Sequence, residues 1–298
     1  MKTKYIIFNK MKCTAISYGA ATIINAIAIG KGAAFGIKLK TKATVRLNDS
    51  SSINARIKGY PGEDTKLIEN CAKRVFRYFD VYYGADIETE SEIPIAKGMK
   101  SSSAAANSVV LATIGAIMKE KSVLIPRDDT IINLGVDAAI DSNVTITGAF
   151  DDASASYFGG FVITDNEKRA IIKRGKMESL NVLMFIPDEK IYTKDVDVRR
   201  TKLLKEEIEI TWKEALRGNI FGAMKINGIL YSSLLKQNSE IALAALESGA
   251  IAAGLCGTGP AVAALVRENP EQIKEKWDKF KGKIIETKTN NEKARIIE

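Results

Sequence analysis

The sequence predicts a two-domain α+β protein. In its first half, apolar and polar side chains alternate in several short segments, which is typical of antiparallel strands with one buried face. Longer segments with apolar residues at helical spacing lie between them. A second group of such segments begins after a boundary near residues 165–180. We therefore expect domains at 1–170 and 171–298 that share an interface and a cleft.

The individual elements follow from these patterns in chain order. In the first domain we expect strands at 40–47, 52–57, 86–93 and 156–164, and helices at 64–82, 103–119 and 130–142. In the second domain we expect strands at 182–186, 261–267 and 282–287, and helices at 195–209, 212–237, 239–248 and 270–281.

The composition excludes several classes of protein and of site. Apolar residues make up 46% and charged residues 27% of the chain, and both values are typical of a soluble globular protein. No apolar run reaches the roughly 18 residues of a membrane span. The absence of histidine excludes His-based triads and His metal sites. Cys13, Cys71 and Cys256 share no metal-binding spacing, so we expect a reducing, cytoplasmic location.

The net charge of +8 favours anionic ligands. The Lys and Arg residues are spread along the chain, without an aromatic–basic motif or a basic tail. We therefore expect a small anionic molecule such as ATP as ligand, and neither nucleic acid nor a membrane. The sequence leaves open whether the protein is a monomer or a homodimer.

One loop carries the strongest functional pattern of the chain. A proline, a glycine and a serine run lead directly into the small, apolar segment 104–117. The N-terminus of such a helix presents unpaired N–H groups and a positive dipole end, which suit a phosphate. A serine-capped core helix is the alternative. The candidate ligand-binding residues are Pro94, Ile95, Ala96, Lys97, Gly98, Met99, Lys100, Ser101, Ser102, Ser103 and Ala104.

Two further segments indicate the same chemistry. Gly257, Thr258 and Gly259 form a second glycine-rich turn, which allows the backbone to approach a ligand closely. Asp151 and Asp152 are adjacent carboxylates in a small, apolar context, and burying them requires partners or a metal. Because the chain has no histidine, any proton transfer falls to Asp, Glu or Lys.

In this order, the three segments resemble the motifs of the GHMP kinase superfamily. Pro94, Gly98 and Ser102 match the central motif, in which Met99 replaces a leucine and Lys100 a glycine. The turn at 257–259 resembles the late glycine motif, and the acidic pair precedes Gly159-Gly160 as the catalytic aspartate of the family does. Segments 25–36, 98–103 and 147–153 look most like the archaeal-type shikimate kinase family.

The resemblance implies a two-domain GHMP kinase fold, with a ribosomal protein S5 domain 2-like N-terminal domain and a ferredoxin-like C-terminal domain. It implies ATP-dependent phosphorylation of the shikimate 3-hydroxyl, giving 3-phosphoshikimate and ADP. Asp151 is the first candidate for the general base and Asp152 the second. Ser102 and Asp141 would bind Mg²⁺, since relatives place an acidic ligand about ten residues before the catalytic aspartate.

The acceptor carboxylate requires a cation, and arginine suits it by planar bidentate binding. Arg199 and Arg200 are candidates, and Lys31 is another. Homoserine or a mevalonate-type alcohol is the alternative acceptor. A non-catalytic GHMP-fold binding protein and a basic RNA-binding domain are alternatives from other classes.

Overall fold

Two β-sheets organise the chain, and the computed structural model describes residues 11–94, 99–145, 148–188 and 197–298. The strands are β1 (Lys12–Ile24), β2 (Lys31–Asn48), β3 (Ile53–Ile57), β4 (Gly84–Ser91), β5 (Phe161–Asp165), β6 (Ala170–Gly175), β7 (Asn181–Pro187), β8 (Ala252–Leu255), β9 (Val262–Val266), β10 (Gly282–Lys288) and β11 (Arg295–Ile296). The helices are α1 (Lys66–Phe79), α2 (Ser101–Glu120), α3 (Asp128–Asp141), α4 (Phe150–Phe158), α5 (Val198–Thr201), α6 (Lys205–Leu216), α7 (Ile220–Leu234), α8 (Glu240–Glu247) and α9 (Pro270–Trp277), with a 3₁₀ turn at Lys202–Leu204.

The first sheet has the order β11-β1-β2-β4-β3, and the hairpin β5-β6 joins it alongside the beginning of β2. The second sheet has the order β10-β7-β9-β8, and all its neighbours are antiparallel. This order, with helices between β7 and β8 and between β9 and β10, is the expected ferredoxin-like arrangement. The boundary expected at residue 170 falls within the β5-β6 hairpin, and β11 returns from the end of the chain to the first sheet.

Helix α2 forms the centre of the first core. Its alanine residues favour a helix, and its valine and isoleucine residues are buried on every side, against β1, β2 and helices α1, α3 and α4. Among the described residues it is the one helix that is long and apolar enough to span a membrane, but 78% of that window is buried inside the protein. Its length therefore reflects its place in the core.

The prediction of a single strand over 156–164 is wrong. Residues 150–158 form α4, Gly159 with φ +67° ends it, and β5 begins only at Phe161. All residues of α4 except the last are buried, so no polar face marks a helical period in the sequence.

The prediction of one helix over 212–237 is also wrong. Helix α6 ends at Leu216 and α7 begins at Ile220. Gly218 with φ +103° reverses the chain between them, and the Asn219 side chain caps α7 by accepting a hydrogen bond from the Gly222 N–H at 3.1 Å.

The predicted strands at 40–47 and 52–57 exist but do not pair. Strand β4 lies between β2 and β3, and β3 runs parallel to it. The sequence did not reveal β1, β6, β8 or β11, because β1 and β8 are buried on both faces, β6 is largely exposed and β11 has two residues. The helix predicted over 195–209 is divided into α5, the 3₁₀ turn and α6, and α6 continues to Leu216; residues 195–196 lie outside the described residues. Strand β2 begins at Lys31, well before the predicted start at residue 40. The other predicted elements are confirmed to within a few residues.

Helix α7 connects the two sheets, since it packs against β8 on one side and β1 on the other. The contact with β8 is a backbone contact, because a Cβ atom added at Gly228 would lie 2.5 Å from the Gly254 Cα. Close approach of this kind requires glycine at both positions.

We predict that Gly228→Ala lowers the free energy of unfolding by about 1–3 kcal/mol, because the extra methyl group forces α7 away from β8. Urea unfolding measures this net loss. In an isolated helix, the same change from glycine to alanine would instead stabilise by roughly 1 kcal/mol. Ser233→Ala, on the exposed side of the same helix, is the control and should change stability by less than about 0.5 kcal/mol. An unchanged or higher midpoint for Gly228→Ala would contradict the prediction.

Candidate active site

The predicted phosphate loop does lead into a helix N-terminus. Helix α2 begins at Ser101, and within the described part of the chain its N-cap residue makes no side-chain capping hydrogen bond. Lys100 precedes it with φ +61° and ψ +32°, a left-handed conformation that is unfavourable for a residue with a side chain. Ser101, Ser102 and Ser103 form the first turn and are half-buried. The geometry suits an anion.

A cavity of about 400 Å³ opens at this helix N-terminus. Lys100 and the serine run line it on one side, and Asp151 and Asp152 from the first turn of α4 on another. The loop Gly257–Gly259 from the second sheet closes a third side. The structure thus brings the three segments predicted from the sequence to one cavity.

Lys100 and Asp152 form an ion pair inside this cavity. The Lys100 Nζ lies 2.7 Å from the Asp152 Oδ2, and the two side chains are 14% and 7% exposed. The other oxygen of Asp152, Oδ1, is buried and has no hydrogen-bond partner among the described residues. A buried acceptor without a donor is costly, so this carboxylate requires either a proton or a ligand that donates a hydrogen bond.

The titration of the pair follows from its burial. Burial and the neighbouring Asp151 both raise the pKa of Asp152, Lys100 opposes them, and the resulting pKa is about 7. Burial lowers the pKa of Lys100, but attraction to Asp152 and Asp151 outweighs it, so the pKa of the ammonium lies above its usual value. Asp152 therefore titrates near neutral pH beside a charged lysine.

Asp151 has different partners. Its Oδ1 accepts a hydrogen bond from the Asn166 side-chain amide at 2.8 Å, and the Asn166 Oδ1 accepts one from the Thr164 hydroxyl at 2.7 Å. Gly32 on β2 lies directly against the carboxylate, and a Cβ atom there would lie 2.3 Å from the Asp151 Oδ2. The backbone N–H of Asn166 also donates to the Gly30 carbonyl at 2.8 Å.

A hydrogen-bond network joins the glycine loop at 257–259 to the loop between β1 and β2. The Gly257 N–H donates to the Thr22 hydroxyl at 2.9 Å, and the Asn25 side-chain amide donates to the Gly257 carbonyl at 2.8 Å. Helix α7 holds the same loop, because Asn227 accepts from the Asn25 N–H and the Tyr231 hydroxyl donates to the Asn25 carbonyl. Helix α7 and both sheets therefore fix one wall of the cavity.

The remaining predicted site residues lie elsewhere. Both carboxylate oxygens of Asp141, at the end of α3, accept hydrogen bonds from Arg74 at 2.7 Å, so this residue is engaged outside the cavity. The Lys31 Nζ pairs with Glu209 at 2.9 Å and lies 5.0 Å from the centre of the Trp212 ring. The Arg199 side chain is 98% exposed, and the Arg200 Nε donates to the Leu234 carbonyl.

Ile95, Ala96, Lys97 and Gly98 were also predicted to bind the cofactor, and they lie outside the described residues. The sequence analysis missed Asn166, Thr22, Asn227 and Tyr231. Each is a single polar residue in an apolar or turn segment, and no spacing pattern marks it. Their burial, between 0% and 5% exposed, is what identifies them.

The donor set of the cavity decides which cation could bind there. Within the described ranges, no three His, Cys, Asp or Glu side chains are grouped as a metal site. Mg²⁺ does not require such a group, because it commonly uses one or two protein oxygens together with substrate phosphates. The serine hydroxyls at the start of α2 and the carboxylates of α4 fit that mode of binding.

Comparison with known proteins agrees with this geometry. The family model for the GHMP kinases N terminal domain matches residues 66–160, and that for the GHMP kinases C terminal domain matches 171–283. The shikimate kinase of Methanothrix thermoacetophila is 44% identical over 287 residues, which cover 96% of each chain. That of Methanosarcina mazei is 47% identical over 284 residues, covering 94% of this chain and 95% of the other.

Solved structures share the fold at low sequence identity. Homoserine kinase from Cytophaga hutchinsonii has a TM-score of 0.73 at 14% identity, covering 96% of this chain and 97% of that one. Mevalonate kinase from Methanococcus jannaschii has a TM-score of 0.72 at 18% identity, covering 93% and 98%. The two-domain fold predicted from the motifs is confirmed, and the chain belongs to the GHMP kinase family.

Proposed function

We propose that the protein is a shikimate kinase, which transfers the γ-phosphoryl group of ATP to the shikimate 3-hydroxyl and releases ADP and 3-phosphoshikimate. The observation that carries phosphoryl transfer is the Lys100–Asp152 pair at the open N-terminus of α2. The acceptor follows from the relatives named shikimate kinase, which are 38–47% identical over 93% or more of this chain.

The cavity accounts for ATP binding. The first-turn amides of α2 and the ammonium of Lys100 offer hydrogen bonds and positive charge to the β- and γ-phosphates. Gly257–Gly259 lies opposite and would close over the phosphates. Ile57 and Leu67 line another part of the cavity and provide apolar surface for the base.

Mg²⁺ would bind the Ser102 hydroxyl together with phosphate oxygens, with Ser101 and Ser103 as alternatives. When bound, the ion neutralises part of the phosphate charge. Asp141 does not support the role expected from the family spacing, because Arg74 occupies both of its oxygens. Phosphoryl transfer otherwise depends on groups that this chain supplies.

Asp152 is the better-supported general base, ahead of Asp151, which the sequence placed first. Its Oδ1 lacks a donor, and the reacting hydroxyl would supply one. Its Oδ2 pairs with the Lys100 ammonium, and the backbone of Lys100 directly precedes the phosphate-binding first turn of α2. The same residue therefore positions both the general base and the phosphate. As the hydroxyl attacks the γ-phosphorus, its proton passes to Asp152, and ADP leaves with the bond to its β-phosphate oxygen broken.

Lys31 is the best of the three candidates for the shikimate carboxylate. It lies outside the cavity lining, but its partner is the Glu209 carboxylate, a group of the same kind as the substrate carboxylate, whereas Arg199 points into solvent and Arg200 is bonded to a backbone carbonyl. When Lys31 binds the substrate, the shikimate carboxylate would replace the Glu209 carboxylate as its partner, so the ammonium would remain paired with one negative charge.

The first test is ADP release from Mg-ATP with shikimate, homoserine, mevalonate or galactose as acceptor. We expect turnover with shikimate and product phosphorylated at the 3-hydroxyl. Turnover only with another alcohol would keep the phosphoryl-transfer site and reject the acceptor.

We predict that Asp152→Asn lowers kcat on shikimate by about 10²–10⁴-fold, because an amide cannot take up the hydroxyl proton. Steady-state ADP release measures the loss, and thermal unfolding of the same sample shows whether the near-isosteric variant is folded. Asp129→Asn, an exposed acid on α3, is the control and should retain wild-type kcat. A kcat within threefold of wild type for Asp152→Asn would remove Asp152 from the mechanism.

The pH profile follows from the same carboxylate. Because the pKa of Asp152 is about 7 and the base must be ionised, kcat/KM should rise with pH through this value and fall about tenfold per unit below it. The measurement is kcat/KM for shikimate from pH 5.5 to 9. A profile that is flat across this range would contradict the assignment.

Replacing Lys100 with glycine, the residue of the family motif, distinguishes the effect of its left-handed backbone on stability from the effect of its positive charge on catalysis. We predict that the change relieves the left-handed strain of about 1–2 kcal/mol but lowers kcat/KM by about a hundredfold. Since Lys100 favours the ionised form of Asp152, its loss should also move the rising limb of the profile to higher pH. Lys100→Arg, which keeps the charge, should move the limb less.

A further inference from the structure

The buried polar atoms that lack a hydrogen-bond partner are concentrated beside the cavity. Among the described residues there are four, and three of them lie on α2 and α4: Asn107 Oδ1, Asp152 Oδ1 and Ser154 Oγ, while Nε1 of Trp212 is the fourth. Each such atom costs free energy, so each requires an explanation. A bound hydroxyl accounts for Asp152, which lines the cavity, but Asn107 is 0% exposed and does not line it.

Asn107 makes a hydrogen bond from one helix to another. It lies on α2, about two turns beyond Lys100, and its Nδ2 donates to the Ala153 carbonyl of α4 at 2.9 Å. A carbonyl oxygen only accepts, so the amide nitrogen must face Ala153 and Oδ1 must face away. A Cβ atom added at Gly135 of α3 would lie 3.6 Å from this Oδ1. The bond to α4 therefore leaves the amide oxygen without a donor.

The other buried polar side chains of α2 avoid this cost. The Ser108 hydroxyl donates to the Ala105 carbonyl at 3.0 Å. The Thr113 hydroxyl donates to the Val109 carbonyl at 2.7 Å, so both have partners in their own helix. Within the described ranges, Asn107 is the buried side chain of α2 that hydrogen-bonds to another helix. Local features that lower stability are common at functional sites.

The residue that Asn107 holds belongs to the acidic first turn of α4. Ala153 directly follows Asp152, whose carboxylate pairs with Lys100 at 2.7 Å. Helix α2 therefore contacts this turn at two points, one in the cavity and one in the core. The Cα atoms of Lys100 and Asn107 are about 10 Å apart along the helix, so the two contacts together fix both the distance and the direction of the turn.

Resting on the proposed function, we infer that Asn107 is a positioning residue for phosphoryl transfer. Through the Ala153 carbonyl, it holds the acidic first turn of α4 at the distance from the phosphate-binding first turn of α2 that the reaction requires. The attacking hydroxyl and the γ-phosphate must be in line, and a misplacement of about 1 Å costs roughly a hundredfold in rate. Because phosphate and base are bound on different helices, a bond between these helices sets the alignment.

Asn107→Thr distinguishes this role from a contribution to folding. Threonine has nearly the volume of asparagine, and its hydroxyl can bond to the Ser103 carbonyl one turn back, as Thr113 does with Val109. The shorter side chain does not reach Ala153. We expect thermal unfolding within about 3 °C of wild type. We expect kcat on shikimate to fall by about 10–100-fold and KM for ATP to change by less than about threefold, because the first turn of α2 is intact.

A double-mutant cycle with Asp152→Asn gives a result that a general loss of packing would not produce. Because Asn107 acts through the acidic turn, adding Asn107→Thr to Asp152→Asn should lower the residual kcat by less than about threefold. Asn107→Ala, which also removes the amide, should give the same non-additivity. Ser108→Ala is the matched control, since the neighbouring buried hydroxyl bonds within α2, and it should keep the kcat of either parent.

Three outcomes would overturn the inference: a wild-type kcat in folded Asn107→Thr, the same fold-loss with and without Asp152→Asn, or an equal loss of kcat in Ser108→Ala. Each of them leaves the proposed function standing, because the wild-type enzyme still phosphorylates shikimate. If wild type phosphorylates a different alcohol, the proposed acceptor is rejected, and the same cycle on that alcohol decides the role of Asn107. A wild-type protein that phosphorylates none of the acceptors rejects the proposed function and the positioning role with it.

Discussion

The burial of two consecutive carboxylates beside one lysine is the constraint on which the site depends. Asp151 and Asp152 are tolerated there because they lie in the first turn of α4, at the positive end of the helix dipole, and because each has a charged or polar partner. The left-handed backbone of Lys100 and the absence of a side chain at Gly32 are local costs that make this arrangement possible.

The second sheet contributes to the site mainly through α7. Asn227 and Tyr231 hold the loop that begins at Asn25, and Asn25 in turn holds Gly257. Because α7 is packed backbone to backbone on β8, these hydrogen bonds have a rigid support. The wall of the cavity is therefore built from both halves of the chain, although the acidic pair and the phosphate-binding helix belong to the first.

The sequence was sufficient where function leaves a local pattern. The serine run before α2, the glycines at 257–259 and the acidic pair are contiguous motifs, and all three meet in one cavity. It was insufficient where a contact joins distant residues. Lys100 was considered for phosphate, but its pairing with Asp152 depends on how α2 packs beside α4. Asp141 matched a family spacing, yet Arg74 on α1 occupies it, and no sequence pattern shows such competition.

Residues 176–180 and 289–294 are the segments by which the chain passes between the two sheets, and they run side by side. Asn291 exchanges hydrogen bonds with both backbone groups of Met177, and Thr289 does the same with the backbone of Leu180. Two adjacent connections resist twisting far better than one. Together with the hydrogen bonds that Asn227 and Tyr231 make to the loop at Asn25, they tie the second half to the first through separate parts of the chain. A ligand that enters the cavity therefore meets walls whose relative position is already set, and little ordering of the protein is left for the binding step.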